Sequence, residues 1–379
     1  MKVAIFADIA VDALAGQASG RGGGHAATWL PQLADRFEAL EHPFEITWIR
    51  TKARRGSDED VRIGRQRFIT LAGFNARIDF LMANLWAAKR FRRVIAELEP
   101  DLVHAWGTEK PFGVVPGIFE GPSLLSVQGC LTAFSKVAKL PLHLRVASRL
   151  EPLRVRSATR ITCESSWSAE QVVKLGVKTM PDVVDYGAHP KFLEAEWTPD
   201  PEKPVLLFSG GLERRKGFDL LIDALQLIPD RKWELRVLGD GPLRAEGEAA
   251  GLPGITWLGT LPWSRTIPEM KKAWGLVVPT RADTGPTVVK EARVMGLPVI
   301  ASNHGGLRDY ILDGVNGLKV DPLDAPQLAS AMTRLMGDFE QVQRLGMSRL
   351  QKDRERFDPT LTARSFLRIY GEMLAPSAT

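Results

Sequence analysis

Asp283-Thr284-Gly285-Pro286-Thr287-Val288-Val289-Lys290-Glu291 is the stretch on which the reading of this chain turns. It follows the apolar run Gly275-Leu276-Val277-Val278-Pro279, which has the composition of a buried strand. Proline has a fixed φ and no N–H, which suits Pro286 to a first helical position, so the pattern predicts a helix from there to Gly296, with Pro298 just beyond. Asp283 then falls in the loop at the strand's carboxyl end. Glu291 falls about a turn and a half into the helix, its side chain leaning back towards the N-terminus. Free N–H groups near Thr287 and Val288 favour an anion, and a carboxylate at 291 accepts hydrogen bonds from sugar hydroxyls. A phosphate beside a sugar is what this geometry would hold.

Outward from that stretch, strand and helix patterns alternate through nearly the whole chain, which predicts parallel sheets with crossover helices. Expected strands in the first half are 2–7, 44–50, 102–105, 123–127 and 160–163, with helices over 25–40, 76–98 and 168–175. In the second half the strands are 205–209, 233–238, 255–258, 276–279, 299–301 and 317–320. Helices are expected there over 218–227, 266–273, 286–296 and 327–336. The stretch 194–204, with its prolines and acids, reads as a linker between two such units. A length of 379 residues suits two domains rather than one core. The expected division is an N-terminal domain over 1–190 and a C-terminal domain over 200–355. A last helix is expected within 356–379. Ligands are expected at the carboxyl ends of both sheets, with the domains facing across a cleft.

A second distinctive region is Phe208-Ser209-Gly210-Gly211-Leu212-Glu213-Arg214-Arg215-Lys216-Gly217. A strand ends in small residues and a basic cluster precedes a helix. Glycines admit close backbone approach to a phosphate, and the cations neutralise it. Ser19-Gly20-Arg21-Gly22-Gly23-Gly24-His25 is a Gly-rich loop placed between a first strand and a helix, again a phosphate-cradling arrangement. His104 ends an expected strand, Gln128 ends the next, and Gly241 lies in Leu238-Gly239-Asp240-Gly241-Pro242 at another strand end.

Taken together, these segments resemble family 4 of the retaining glycosyltransferases, which have the GT-B architecture of two Rossmann-like domains. The two acids eight residues apart, followed by Gly296-Leu297-Pro298-Val299-Ile300, are similar to that family's acidic signature, although its first acid is normally Glu and here is Asp283. Lys216-Gly217 match its diphosphate-contacting pair. The Arg that usually precedes that Lys by five residues is replaced by Gly211, leaving Arg214 or Arg215 as the second cation. Gly23 and Gly24 match its Gly-Gly loop. His104 matches the first His of a His-x-His-like stretch whose second place is taken by Trp106, and Gln128 stands where many members have a sugar-contacting His. The matches run in order from Met1 to about Met336.

The resemblance implies a retaining, metal-independent transfer of a sugar from a nucleotide diphosphate, a co-substrate rather than a cofactor, to a glycan or lipid-linked hydroxyl. It implies catalytic roles for Asp283, Lys216, Arg215 and His104, and donor binding by Glu291, Gly23, Gly24, Gly210, Gly241, Thr287, Val288 and Gln128. Such transfers build cell-surface polysaccharide, lipopolysaccharide or glycolipid. Two other readings fit the same segments. One is a nucleotide-sugar or glycan-binding protein without turnover; the other is a GT-B epimerase acting on the nucleotide sugar. Asp58-Glu59-Asp60 has the Asp-x-Asp form of metal-dependent glycosyltransferases of the other fold, but it stands in the polar stretch 54–65 and reads as a solvated loop, so no metal is expected.

Composition narrows the classes further. With Cys130 and Cys163 its two cysteines, the chain has no disulfide framework, and both read as small apolar residues in a reducing compartment. No run of eighteen apolar residues exists, and the N-terminal apolar run ends at Asp8, so neither a span nor a signal peptide is read and the cytoplasm is expected. A net charge of +5 is modest, yet Lys136, Lys139, Arg145, Arg149, Arg154, Arg156 and Arg160 stand against the one acid Glu151 in 135–160. Leucines interleave with them, which suits peripheral contact with an anionic membrane at its inner face. Pro141 and Pro152 are expected to break any single helix there. Nucleic-acid binding would need a denser basic surface with stacking aromatics, and only three tyrosines are present. A nicotinamide fingerprint after the first strand is absent.

Overall fold

The structure, a computed structural model, describes residues 1–14, 29–53 and 56–376. They divide into two compact units. The first takes in the described residues up to Asp185 together with those from Pro359 onward, and the second is Tyr186–Asp358.

In the first unit the strands are β1 (Lys2–Phe6), β2 (Glu45–Thr51), β3 (Glu59–Ile63), β4 (Gln66–Leu71), β5 (Leu102–Trp106), β6 (Ser123–Val127), β7 (Arg160–Cys163) and β8 (Asp182–Val183). They form one sheet in the order β3-β4-β2-β1-β5-β6-β7-β8, parallel except for the antiparallel β3–β4 pair. The second unit contains β9 (Val205–Ser209), β10 (Glu234–Leu238), β11 (Ile255–Gly259), β12 (Gly275–Val278), β13 (Val299–Ser302) and β14 (Gly317–Val320). These pair in parallel in the order β11-β10-β9-β12-β13-β14. Central strands such as β5, β6 and β12 are buried along their whole length, because helices cover both faces of a parallel sheet.

Three places depart from the sequence reading, each for a physical reason. The polar stretch expected to be a loop forms a hairpin: β3 is an exposed edge strand whose backbone pairs with β4. Its acids are not free. Asp60 pairs with Arg67 at 2.6 Å, Asp58 with Arg90 at 2.6 Å, and Glu59 with Lys52. The helix expected over 76–98 is two helices, Ala76–Leu81 and Leu85–Leu98, separated by Ala83 and Asn84 at φ 55° and 64°. Pro152 does not break its segment, and one helix runs over Leu142–Ser157. The Ser148 carbonyl that the missing Pro152 N–H would have bonded accepts from Thr132 Oγ1 at 3.2 Å instead, which removes much of the cost of an interior proline.

The stretch expected to be a linker is docked on the second unit. Trp197 Nε1 donates to the Ala273 carbonyl at 2.8 Å and the Thr198 N–H to the Lys271 carbonyl at 3.1 Å. The helix Pro359–Leu374 lies within the first unit, where Glu372 pairs with Arg160 at 2.7 Å and Thr362 Oγ1 donates to the Asp185 carbonyl at 2.8 Å.

Candidate functional site

Strands β9 and β12 are neighbours in the second sheet, so the loops at their carboxyl ends lie side by side. The β9 loop passes through Gly210 and Gly211 into a short turn, Arg214–Lys216, and then into the helix Phe218–Gln226. The β12 loop runs from Pro279 to Pro286 and enters the helix Thr287–Met295. Gly217 makes the close approach of the two loops possible. Its φ is 72°, and a Cβ there would stand 1.9 Å from the Pro279 carbonyl oxygen. The Arg215 carbonyl is then gripped by the Arg281 N–H at 2.8 Å and Thr280 Oγ1 at 2.9 Å, so the basic turn has one position relative to β12.

Three predicted residues converge here. Asp283 is buried, and its carboxylate bonds Lys216 Nζ, with Arg215 Nη1 at 3.7 Å and the Gly285 N–H at 3.3 Å. Burial pushes the Asp283 pKa up, but the Lys216 and Arg215 charges and the donated hydrogen bonds more than offset this, holding it below the usual carboxylate value. Arg215 also pairs with Glu213 at 2.7 Å and donates to the Ala282 carbonyl at 3.2 Å. The Asp283 backbone is fixed from the β13 side by the Gly306 N–H at 2.8 Å. Gly305, at φ 69°, packs so close that a Cβ would lie 2.7 Å from the Asp283 carbonyl oxygen.

The helix Thr287–Met295 presents the other half of the site. Pro286 is its N-cap rather than its first residue, and no side chain caps the end, so the N–H groups of Thr287 and Val288 are without a partner among the described residues. Gly296 closes it at φ 94°. Its inner face is anchored by two buried cations. Lys290 Nζ donates to the Tyr186 carbonyl at 2.9 Å, and Arg293 pairs with Asp353 at 2.9 Å. Glu291, between them in sequence, is half-buried and receives no hydrogen bond from any described residue. Burial raises its pKa to about 7, against a smaller lowering by Lys290. A carboxylate held this way favours a ligand that brings its own donors.

Gly210 and Gly241 sit in the turns after β9 and β10. The Gly210 N–H bonds the Leu238 carbonyl at 2.9 Å, and the Gly241 N–H bonds Asp240 Oδ1 at 2.8 Å. In the first unit, Gln128 is half-buried just past the end of β6. Gly23 and Gly24 lie outside the described residues.

His104 is a correction. It is the middle residue of β5, not its end, and is 0% exposed. Nδ1 meets Tyr370 Oη at 2.7 Å and Nε2 meets Ser126 Oγ at 2.7 Å. Burial holds its pKa well below the usual histidine value. With both nitrogens satisfied inside the core, it is a structural residue and not a catalytic one. Sequence reasoning also missed Thr280, Arg281 and the Gly305-Gly306 turn. The small pair just after β13 was the available signal for the last of these.

Comparison with known proteins bears on this region directly. Residues 203–338 match the family model described as Glycosyl transferases group 1. Over 144 residues the chain is 33% identical to a glycosyltransferase of Methanocaldococcus jannaschii, covering 37% of this chain and 40% of that one. Over 217 residues it is 26% identical to a D-inositol 3-phosphate glycosyltransferase of Nocardia farcinica, covering 51% and 48%. A sulfoquinovosyl transferase of Arabidopsis thaliana is 27% identical over 164 residues, which is 42% of this chain and 31% of that protein. The matched stretch thus spans less than half the length of each of these relatives. Among solved structures, sucrose-phosphate synthase of Thermosynechococcus elongatus superposes with a TM-score of 0.80 at 20% identity, covering 98% of both chains. The Anabaena protein HepE, solved with UDP-glucose, gives 0.72 at 17% identity, covering 98% of this chain and 100% of that one. The fold is GT-B, with two Rossmann-like α/β units.

Proposed function

We propose that this protein is a retaining, metal-independent glycosyltransferase that moves a sugar from a nucleotide diphosphate to a hydroxyl of a glycan or lipid-linked acceptor. The observation that carries this reading is the meeting of Lys216 and Arg215 with Asp283 where β9 and β12 end, beside a helix N-terminus that no described side chain caps and a Glu291 to which no described residue donates. That grouping falls inside the segment matched by the glycosyltransferase family. HepE, of the same fold, is solved with UDP-glucose.

In this proposal Glu291 accepts hydrogen bonds from the ribose hydroxyls, and the Thr287 and Val288 N–H groups face the phosphates. Gly210 and Gly241 leave room for the donor backbone to approach. Lys216 and Arg215 stabilise the negative charge that grows on the leaving diphosphate, the work a divalent ion performs elsewhere. Asp283 orients the transferred sugar through its hydroxyls. Gly23, Gly24 and Gln128 keep the donor-side roles that the family resemblance gives them. The C1–O bond to the diphosphate breaks as the acceptor oxygen bonds to C1 from the same face, and the acceptor proton passes to the departing phosphate oxygen. Peripheral contact of segment 135–160 with an anionic inner leaflet would bring a lipid-linked acceptor within reach.

Screening nucleotide diphosphates for thermal stabilisation identifies the base, and nuclear magnetic resonance of the product of the matching sugar donor reads the anomer. The expected result is stabilisation by one nucleotide, release of that diphosphate in the presence of chelator, and a product with the donor's anomeric configuration. Stabilisation without turnover under every acceptor tried would instead favour a binding protein, and a 2-epimer formed without acceptor would favour an epimerase.

A further inference from the structure

The corner between the helices Ala76–Leu81 and Leu85–Leu98 leaves four large apolar side chains in water. Ile78 is 55% exposed, Leu81 53%, Met82 51% and Leu85 67%. Single exposed leucines are ordinary, but four within eight residues make a contiguous apolar crest. The corner is built to stay where it is. Asn84, fully buried in a left-handed conformation, donates to Asp79 Oδ2 at 2.9 Å and accepts from the buried Arg154. Asp79 Oδ1 caps the second helix by accepting from the Trp86 and Ala87 N–H groups, each at 3.2 Å. Arg154 also donates to the Thr108 carbonyl at 2.6 Å. A rigid, buried polar network therefore supports an exposed apolar corner.

Charge around that crest is predominantly of one sign. Helix Ala76–Leu81 packs against Leu142–Ser157 through Phe80 and Ala147. Arg77, Lys89, Arg145 and Arg149 are exposed on these helices, and the acids within 76–96 and 131–158, Asp79 and Glu151, are both buried. Glu151 is spent on Thr108 Oγ1 at 2.8 Å and on the N–H groups of Leu131 and Thr132 at 2.9 and 2.7 Å. Apolar side chains projecting among mainly cationic ones, with the exposed acids beside the second helix, Asp58 and Glu97, each paired to an arginine of that helix, Arg90 and Arg93, match a surface that is anionic at its headgroups and apolar beneath.

We infer that the Ile78–Leu85 corner is a membrane-insertion element, seating its apolar crest in an anionic bilayer while the flanking arginines and lysines hold the headgroups. This deepens the lipid-linked acceptor reading by naming the residues that enter the membrane, and it is read without any sugar, so turnover of donor and binding to lipid succeed or fail separately.

The test is co-sedimentation of the full chain with vesicles of equal parts phosphatidylglycerol and phosphatidylcholine, and with phosphatidylcholine alone. The parent protein is expected to sediment with the anionic vesicles, less so as salt rises, and hardly with the neutral ones. Leu81→Ser with Leu85→Ser should weaken partitioning by on the order of a hundredfold. Arg145→Glu with Arg149→Glu should weaken it and flatten the salt dependence. All four positions are exposed, and an unchanged circular-dichroism melt confirms that each variant is folded. The inference is overturned if the parent ignores both vesicle types or if the serine variant sediments like the parent. It is equally overturned if light scattering shows a concentration-dependent dimer that Leu85→Ser dissolves, since the crest would then belong to a second copy.

Discussion

Lys216 and Asp283 bond each other across 67 residues of sequence, a cation from the β9 loop against a buried carboxylate from the β12 loop. The lysine ammonium bonds Asp283, but Asp283 does not depend on the lysine alone. Asp283 keeps Arg215 and the Gly285 N–H, so the Lys216 ammonium can move towards a developing phosphate charge without stranding the carboxylate. The pair holds the lysine in place before it is needed.

Lys216→Ala should therefore lower kcat by on the order of a hundredfold or more while changing nucleotide affinity much less, because the charge it faces grows during reaction. Steady-state kinetics beside calorimetric titration separate the two effects. A loss confined to affinity would remove Lys216 from the reacting centre.

Glu291→Gln should weaken nucleotide binding by about 1–3 kcal/mol, through lost charge-assisted hydrogen bonds. Its folded pKa of about 7 lies above that of an unfolded glutamate, so the native state binds more protons between the two values and stability falls as pH rises through that window. The glutamine variant lacks this penalty. Its melting temperature should gain on the parent's from about pH 4.5 to 7 and then run parallel, a difference on the order of 1–2 kcal/mol. Parallel curves throughout would mean the carboxyl is better solvated than its position indicates.

His104→Ala should destabilise the protein by about 2–4 kcal/mol, from a cavity and the orphaned Tyr370 hydroxyl, while Ser126 Oγ keeps Thr162 Oγ1 at 2.6 Å. Because its folded pKa is depressed, the unfolded state takes up a proton that the native state refuses, and stability falls as pH drops below about 6.5. A variant that melts like the parent yet loses turnover would restore a catalytic role.

Most strands were legible because a strand covered on both faces must be apolar along its length. Val205–Ser209 and Ser123–Val127 carry that signature and end where it ends. β3 was not, since an edge strand facing water has no reason to alternate. The split at Asn84 was hidden because it depends on Arg154, distant in sequence, and the continuity through Pro152 because it depends on Thr132. In the site, acids and cations at strand ends could be read from glycine-rich turns next to apolar runs. His104 could not: a polar residue in a buried strand looks the same whether it bonds a ligand or a tyrosine 266 residues away.

The hairpin at the margin of the first sheet has a bearing on life in a crowded solution. An open row of backbone donors and acceptors along β3 would invite another chain to add itself to the sheet, but Asp58, Glu59 and Asp60 stand along it, each already tied to a cation. An incoming strand would have to strip those charges of water and partners before it could bond. The sheet thus ends in a barrier to self-templated growth, and neutralising these three acids should raise the protein's tendency to aggregate on standing, as light scattering would read.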